Sequence, residues 1–198
     1  AENNNVAIGA GSMGNANNDS TEKNVALGRN SMLGGTGELD SNVAIGHLAM
    51  DGTGSIGGSY NVFLGSAAGG GAWATATSSK NVGIGTESMD AAMNGADDNT
   101  AIGYRAGSAL TEGDNNVFFG SNAGLSLTTG ENNVLIGHAA GDALLTGSNN
   151  VAIGKNALTA ANGSEGQHIA IGANALAALD GSSYATVAVG HDALKTMT

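Results

Sequence analysis

Apolar residues along this chain come in short bursts of alternating character, each closed by glycine and each followed by a longer polar stretch. The burst reads Val-Ala-Ile-Gly in its commonest form, and its glycine recurs at Gly9, Gly28, Gly46, Gly65, Gly85, Gly103, Gly120, Gly137, Gly154, Gly172 and Gly190. Successive glycines are 17 to 20 residues apart. A fixed period of this length, carrying one short strand each time, is the mark of a solenoid in which every coil packs only on its neighbours. The pattern predicts an all-β fold, a parallel β-solenoid or β-roll of eleven coils of about 17–20 residues. It forms one domain over residues 1–198, with repeats from about Asn5 to Leu194.

Within each coil the positions have separate duties. The residue before the strand is Asn in nine coils: Asn5, Asn24, Asn42, Asn61, Asn81, Asn99, Asn116, Asn133 and Asn150. Asn tolerates left-handed backbone, and its amide both donates and accepts, so the column is either a set of turn formers or a ladder of amides bonded along the axis. His168 and Thr186 replace it in the last two coils, where such a ladder is expected to end. A position that is glycine in all eleven coils needs positive φ, close backbone approach, or both. Three residues later only Ser or Ala occurs, from Ser12 to Ala193, as a tight corner demands.

Alternation places the Val and Ile of each strand on one face and the middle residue on the other. Both faces are therefore apolar, and one of them needs a cover other than the coil itself. The expectation is that the middle column, Ala7, Ala26, Ala44, Phe63, Ala101, Phe118, Leu135, Ala152, Ala170 and Ala188, faces outward as an interface to a partner chain. The remainder of each coil is rich in Gly, Ser, Thr, Asn and Asp and reads as loop. The longest excursion carries the single tryptophan, Trp73, either an exposed platform for a sugar or partner or a buried plug. No proline interrupts the backbone donors. Neither end carries an atypical shielding repeat, which leads to the expectation of end-to-end stacking.

Composition narrows the function. The formal charge is −11, and no basic patch exists, which excludes nucleic acid and anionic membrane surfaces as partners. No run of about 18 apolar residues spans a bilayer. Cysteine is absent, so neither a disulfide framework nor a thiolate metal site is available. A first residue of Ala rather than Met fits a matured secreted product or an excised piece of a longer chain.

Chemistry is sparse. Gly9-Ala10-Gly11-Ser12-Met13-Gly14 matches the dinucleotide fingerprint, but its glycines belong to the repeat and no helix is expected behind them. Only one hexad per coil fits a hexapeptide acyltransferase. His47, His138 and His191 share the position after the glycine without forming a triad. Hence no catalytic and no cofactor-binding residue is expected, and the protein is read as not an enzyme. Calcium is the one candidate ligand ion, through Glu38 with Asp40, Asp97 with Asp98 and Glu112 with Asp114; solvating charge is the alternative role. Asn18-Asp19-Ser20 and Asn162-Gly163-Ser164 fit the glycosylation sequon. Ice binding suits flat solenoid faces but lacks regularly spaced Thr pairs.

The repeat Asn-Asn-Val-Ala-Ile-Gly followed by x-x-Ser or x-x-Ala resembles the head repeats of trimeric autotransporter adhesins. Asn99-Thr100-Ala101-Ile102-Gly103-Tyr104-Arg105-Ala106-Gly107 is similar to the repeats of bacteriophage tail fibres. The resemblance implies a parallel β-roll, three chains side by side, and a role in attachment or as a fibre shaft. The expected function is thus a non-enzymatic structural fibre protein, extracellular, on a cell surface or on a virion. Its chains would associate laterally or end to end as a homo-oligomer. The alternative is a trimeric binding module recognising a glycan or matrix ligand through its loops.

Overall fold

The computed structural model describes residues 4–15, 21–34, 37–73, 75–159, 166–178 and 185–196. Among them it is all-β, without a helix. The repeat strands are β1 (Val6–Ile8), β2 (Val25–Leu27), β4 (Val43–Ile45), β6 (Val62–Leu64), β7 (Val82–Ile84), β8 (Thr100–Ile102), β9 (Val117–Phe119), β10 (Val134–Ile136), β11 (Val151–Ile153), β12 (Ile169–Ile171) and β13 (Val187–Val189). They lie side by side in chain order as one 11-stranded parallel sheet. β3 (Glu38–Asp40) and β5 (Gly57–Ser59) pair as a small second sheet. The predicted parallel β-solenoid is therefore the fold.

Register follows from the repeat itself. Val134 sits beside Val151 and Ile136 beside Ile153, so that like stands on like along the sheet. Hydrogen bonds run both ways across each junction: between β11 and β12, Val151 N–H donates to the His168 carbonyl at 2.8 Å and Gly172 N–H to the Ile153 carbonyl at 2.8 Å.

A coil this narrow must turn sharply, and it does so with left-handed residues at fixed places. The residue before the Asn column (Lys23, Ser41, Tyr60, Lys80, Asp98 and onward), the second residue after the repeat glycine and the fourth after it all have positive φ. None of the non-glycine residues so placed is Val, Ile or Thr, the types for which this conformation is most strained. The repeat glycine meets both of its expected demands. Gly154 has φ of +137°, and a Cβ there would lie 2.6 Å from the carbonyl of Gly172.

The inside and outside of the sheet are the reverse of the sequence expectation. Ala26, Ala44, Phe63, Ala101, Phe118, Leu135, Ala152 and Ala170 are fully buried and Ala188 is nearly so, inside the coil rather than at an interface. Ala7, on the first strand of the sheet, is exposed. Alternation fixes which residues share a face but not which face is inner. In a narrow coil three-residue strands can turn only their central side chain inward, and the two flanking ones must point out.

The interior column is filled by a compensation in size. Where the middle residue is small, the fourth residue after the repeat glycine is large: Ala26 with Met32, Ala44 with Met50, Ala152 with Leu158, Ala170 with Leu176. Where it is large, that residue is glycine. A Cβ at Gly69 would sit 2.7 Å from the Phe63 ring, and one at Gly141 2.8 Å from the Leu135 side chain. Ala101 and Gly107 are both small, and the space is taken by Phe118 of the next coil, whose ring would lie 2.7 Å from a Cβ at Gly107. Close packing without voids forces such trade-offs.

Candidate interaction faces

The outer face of the large sheet carries two parallel columns. One runs Val6, Val25, Val43, Val62, Val82, Thr100, Val117, Val134, Val151, Ile169, Val187; the other runs Ile8, Leu27, Ile45, Leu64, Ile84, Ile102, Phe119, Ile136, Ile153, Ile171, Val189. At about 4.8 Å per strand the pair forms an apolar stripe about 50 Å long. Several members are exposed, from Ile153 at 36% to Phe119 at 53% and Val189 at 65%. Only Thr100 breaks the aliphatic and aromatic run. The stripe that sequence reasoning required is present, on the opposite set of residues.

Between this face and the loops runs the asparagine column, and it is a ladder. Asn116 Nδ2 donates to Asn99 Oδ1 at 3.0 Å, and Asn116 N–H donates to the same oxygen at 2.9 Å. Its second amide hydrogen reaches the Gly130 carbonyl at 2.8 Å, tying the strand to the loop of the next coil. The pattern begins at Asn5, whose Oδ1 accepts from Asn24, and repeats through Asn42, Asn61, Asn81, Asn99, Asn133 and Asn150. The side chains from Asn24 to Asn150 are fully buried. The ladder also outlasts its expected end. His168 N–H donates to Asn150 Oδ1 at 3.0 Å, and His168 Nδ1 accepts from Thr186 N–H at 3.3 Å. A ring nitrogen that accepts stands in for an amide oxygen.

The acidic loop residues form a column of their own that the sequence reading missed. Two residues before the Asn column, Asp97 Oδ1 accepts from Ser79 N–H at 2.6 Å, and Asp114 Oδ1 accepts from Asp97 N–H at 2.7 Å. Asp98 pairs with Lys80 and Asp40 with Lys23, each at 3.5 Å and exposed. The signal was the spacing: Glu22, Asp40, Asp97, Asp114 and Glu131 all stand two places before an Asn of the column. Among the described residues no three His, Asp or Glu side chains cluster closely enough to hold a metal, Glu112 included.

Asp51, Asp90 and Asp142 each follow the fourth residue after a repeat glycine. Burial pushes all three carboxyls above their ordinary range. Glu87 adds to the rise at Asp90, while the Arg105 guanidinium opposes it.

His47, His138 and His191 are exposed on separate coils and share no site. Trp73 is buried and meets Phe63 edge-on, ring centroids 6.2 Å apart. It is a plug of the longest coil and not a platform. The Gly9–Gly14 segment is a turn. The sequon residues Asn18 and Asn162 lie outside the described residues. Comparison of this chain with known protein families, with curated proteins and with solved structures finds no match.

Proposed function

We propose that this chain is a structural fibre subunit, without catalytic activity, that works outside the cell or on a virion as part of a stiff homo-oligomeric rod. The observation that carries this reading is the double column of outward Val, Leu, Ile and Phe side chains. At about 50 Å by 10 Å it covers about 500 Å2, at the upper end of apolar patches on monomeric proteins. Two such faces packed together bury about 1,000 Å2, near the lower bound for a specific interface. A second or third copy offers the same aliphatic spacing in return, so that side chains of one stripe seat between those of the other. The net charge of −11 then keeps finished rods apart in solution. Rigidity supports the same role, since every strand of the large sheet is hydrogen-bonded to the next and the asparagine ladder from Asn5 to Asn150 adds side-chain bonds along the axis, joined between Ser79 and Asp114 by the acidic column.

The test is light scattering on the purified chain beside a variant carrying Ile153→Lys and Ile171→Lys. Both side chains are 36% exposed, so the folded coil has room for the lysines, while a face-to-face contact does not. The expected result is a defined oligomer for the parent and a folded monomer for the variant. A parent that stays monomeric at high concentration refutes lateral association.

A further inference from the structure

Among the described residues, the second to fourth coils carry a feature absent from the regular repeat. Beside the small second sheet the loop side opens into a cleft of about 340 Å3. Its floor is bare backbone, because the coils approach too closely there for side chains. A Cβ at Gly58 would meet the Ser78 carbonyl at 2.5 Å and the Trp73 ring at 2.7 Å. The other residues that line it are Ser55, Ser59, Thr77 and Ser79, which carry hydroxyls, the acidic Glu38 and one large apolar residue, Ile56. Among the described residues no Lys, Arg or His lines it. Ser79 Oγ accepts from Ser59 N–H at 3.3 Å. The Glu38 carboxylate and the Ser55 and Thr77 hydroxyls make no hydrogen bond or ion pair with any described residue.

We propose that this cleft binds a neutral saccharide unit. Hydroxyl walls both donate and accept, as a polyol requires, while a free carboxylate accepts two neighbouring hydroxyls of one ring. Ile56 supplies the apolar contact for a face of C–H groups. With no cation in the walls and a net charge of −11, sulfated, phosphorylated and sialylated ligands are repelled. The volume stands at the lower end of small-molecule sites, about 300 Å3, which suits one sugar ring of a longer glycan. None of the lining residues belongs to the Val and Ile columns, so the site works whether or not chains associate laterally.

Saturation-transfer NMR tests this on the full chain, because it reads ligand signals and tolerates assemblies of any size. The probes are the methyl glycosides of glucose, galactose and mannose at millimolar concentration. The expected result is transfer to at least one of them, with affinity lowered tenfold or more in the Glu38→Gln and Thr77→Val double variant. Both side chains are exposed, so the thermal transition of the variant should match the parent; each single variant serves if the double one does not fold. Absence of transfer to all three probes, or equal transfer in the variants, overturns the proposal. So does transfer that a chelator abolishes, which would assign the cleft to a cation.

Discussion

Exchanging sizes between Phe118 and Gly124 should move stability in a way that neither substitution does alone. Phe118 is fully buried, and its ring closes on both Gly124 of its own coil and Gly107 of the coil before. Phe118→Ala empties this space, and aromatic truncations of that kind cost about 3–5 kcal/mol. Gly124→Met alone drives a side chain into the ring, and overpacking costs about 1–3 kcal/mol. Left-handed strain of about 1–2 kcal/mol falls equally on Gly124→Met and on the double variant and so cancels from their coupling; Met32, Met50 and Met89 carry it at the same coil position with φ of 51°, 52° and 45°. The double variant recreates the Ala and Met pairing of Ala26 with Met32 and Ala44 with Met50. A buried Met returns about 1.5–3 kcal/mol, but the space over Gly107 stays partly empty, so on packing alone the double variant should lie about 1–3 kcal/mol below the parent. The sum of the single costs is about 4–8 kcal/mol, which implies a coupling of about 3 kcal/mol or more, at or above the usual range for touching residues. Urea unfolding followed by circular dichroism measures it, at one protein concentration because assembly shifts the midpoint. Additive costs would show that the two positions do not share one space.

Other positions give simpler tests. Asn116→Ala leaves the Asn133 N–H and the Gly130 carbonyl buried without their partner; at about 1–3 kcal/mol for each orphaned group, denaturant unfolding should show a loss of about 2–6 kcal/mol. Ala67 has φ of 54°, so Ala67→Gly should stabilise by about 0.5–1 kcal/mol, the left-handed strain relieved exceeding the chain entropy added. Asp90 has its folded pKa raised by burial, so its favourable contribution is complete only below the unfolded value of about 3.9 and is lost as pH rises through the raised one. Asp90→Asn should therefore raise the thermal midpoint at pH 7, with the gain shrinking toward pH 3; a gain independent of pH would refute the burial argument.

Much of the architecture was legible because a repeat declares itself. Eleven glycines at near-constant spacing required a solenoid, and nine identical Asn residues were open to a ladder, which is what Asn24 to Asn150 form. What alternation alone could not decide was the inner face. The decisive clue was in the sequence but needed two columns at once. The middle position ranges from Gly83 to Phe118 while Val and Ile beside it hardly change, and the size at Met32, Gly69, Met89 and Gly124 varies inversely with it. Uniform columns face outward where only spacing matters, and variable, mutually compensating ones share a closed volume. The cleft was illegible for another reason: it depends on Gly58 meeting the next coil's backbone and on the floor that remains, which no single-coil pattern encodes. The acidic pairs were read as solvating charge or calcium ligands because their backbone partners lie one coil away.

The compensation across Gly107 and Phe118 also governs how such a chain can change length. A solenoid whose coils touch only their neighbours is open to gain or loss of whole repeats through unequal recombination of its coding sequence. Coils built like those around Ala44 or Ala170 fill their own interior, and each can be copied or deleted as a module. The coil ending at Gly103 and Gly107 borrows its filling from the one that follows, so the segment spanning Ala101 to Gly124 is inherited as a pair. Length variation in this protein should therefore come in single coils near its ends and in double coils at its centre.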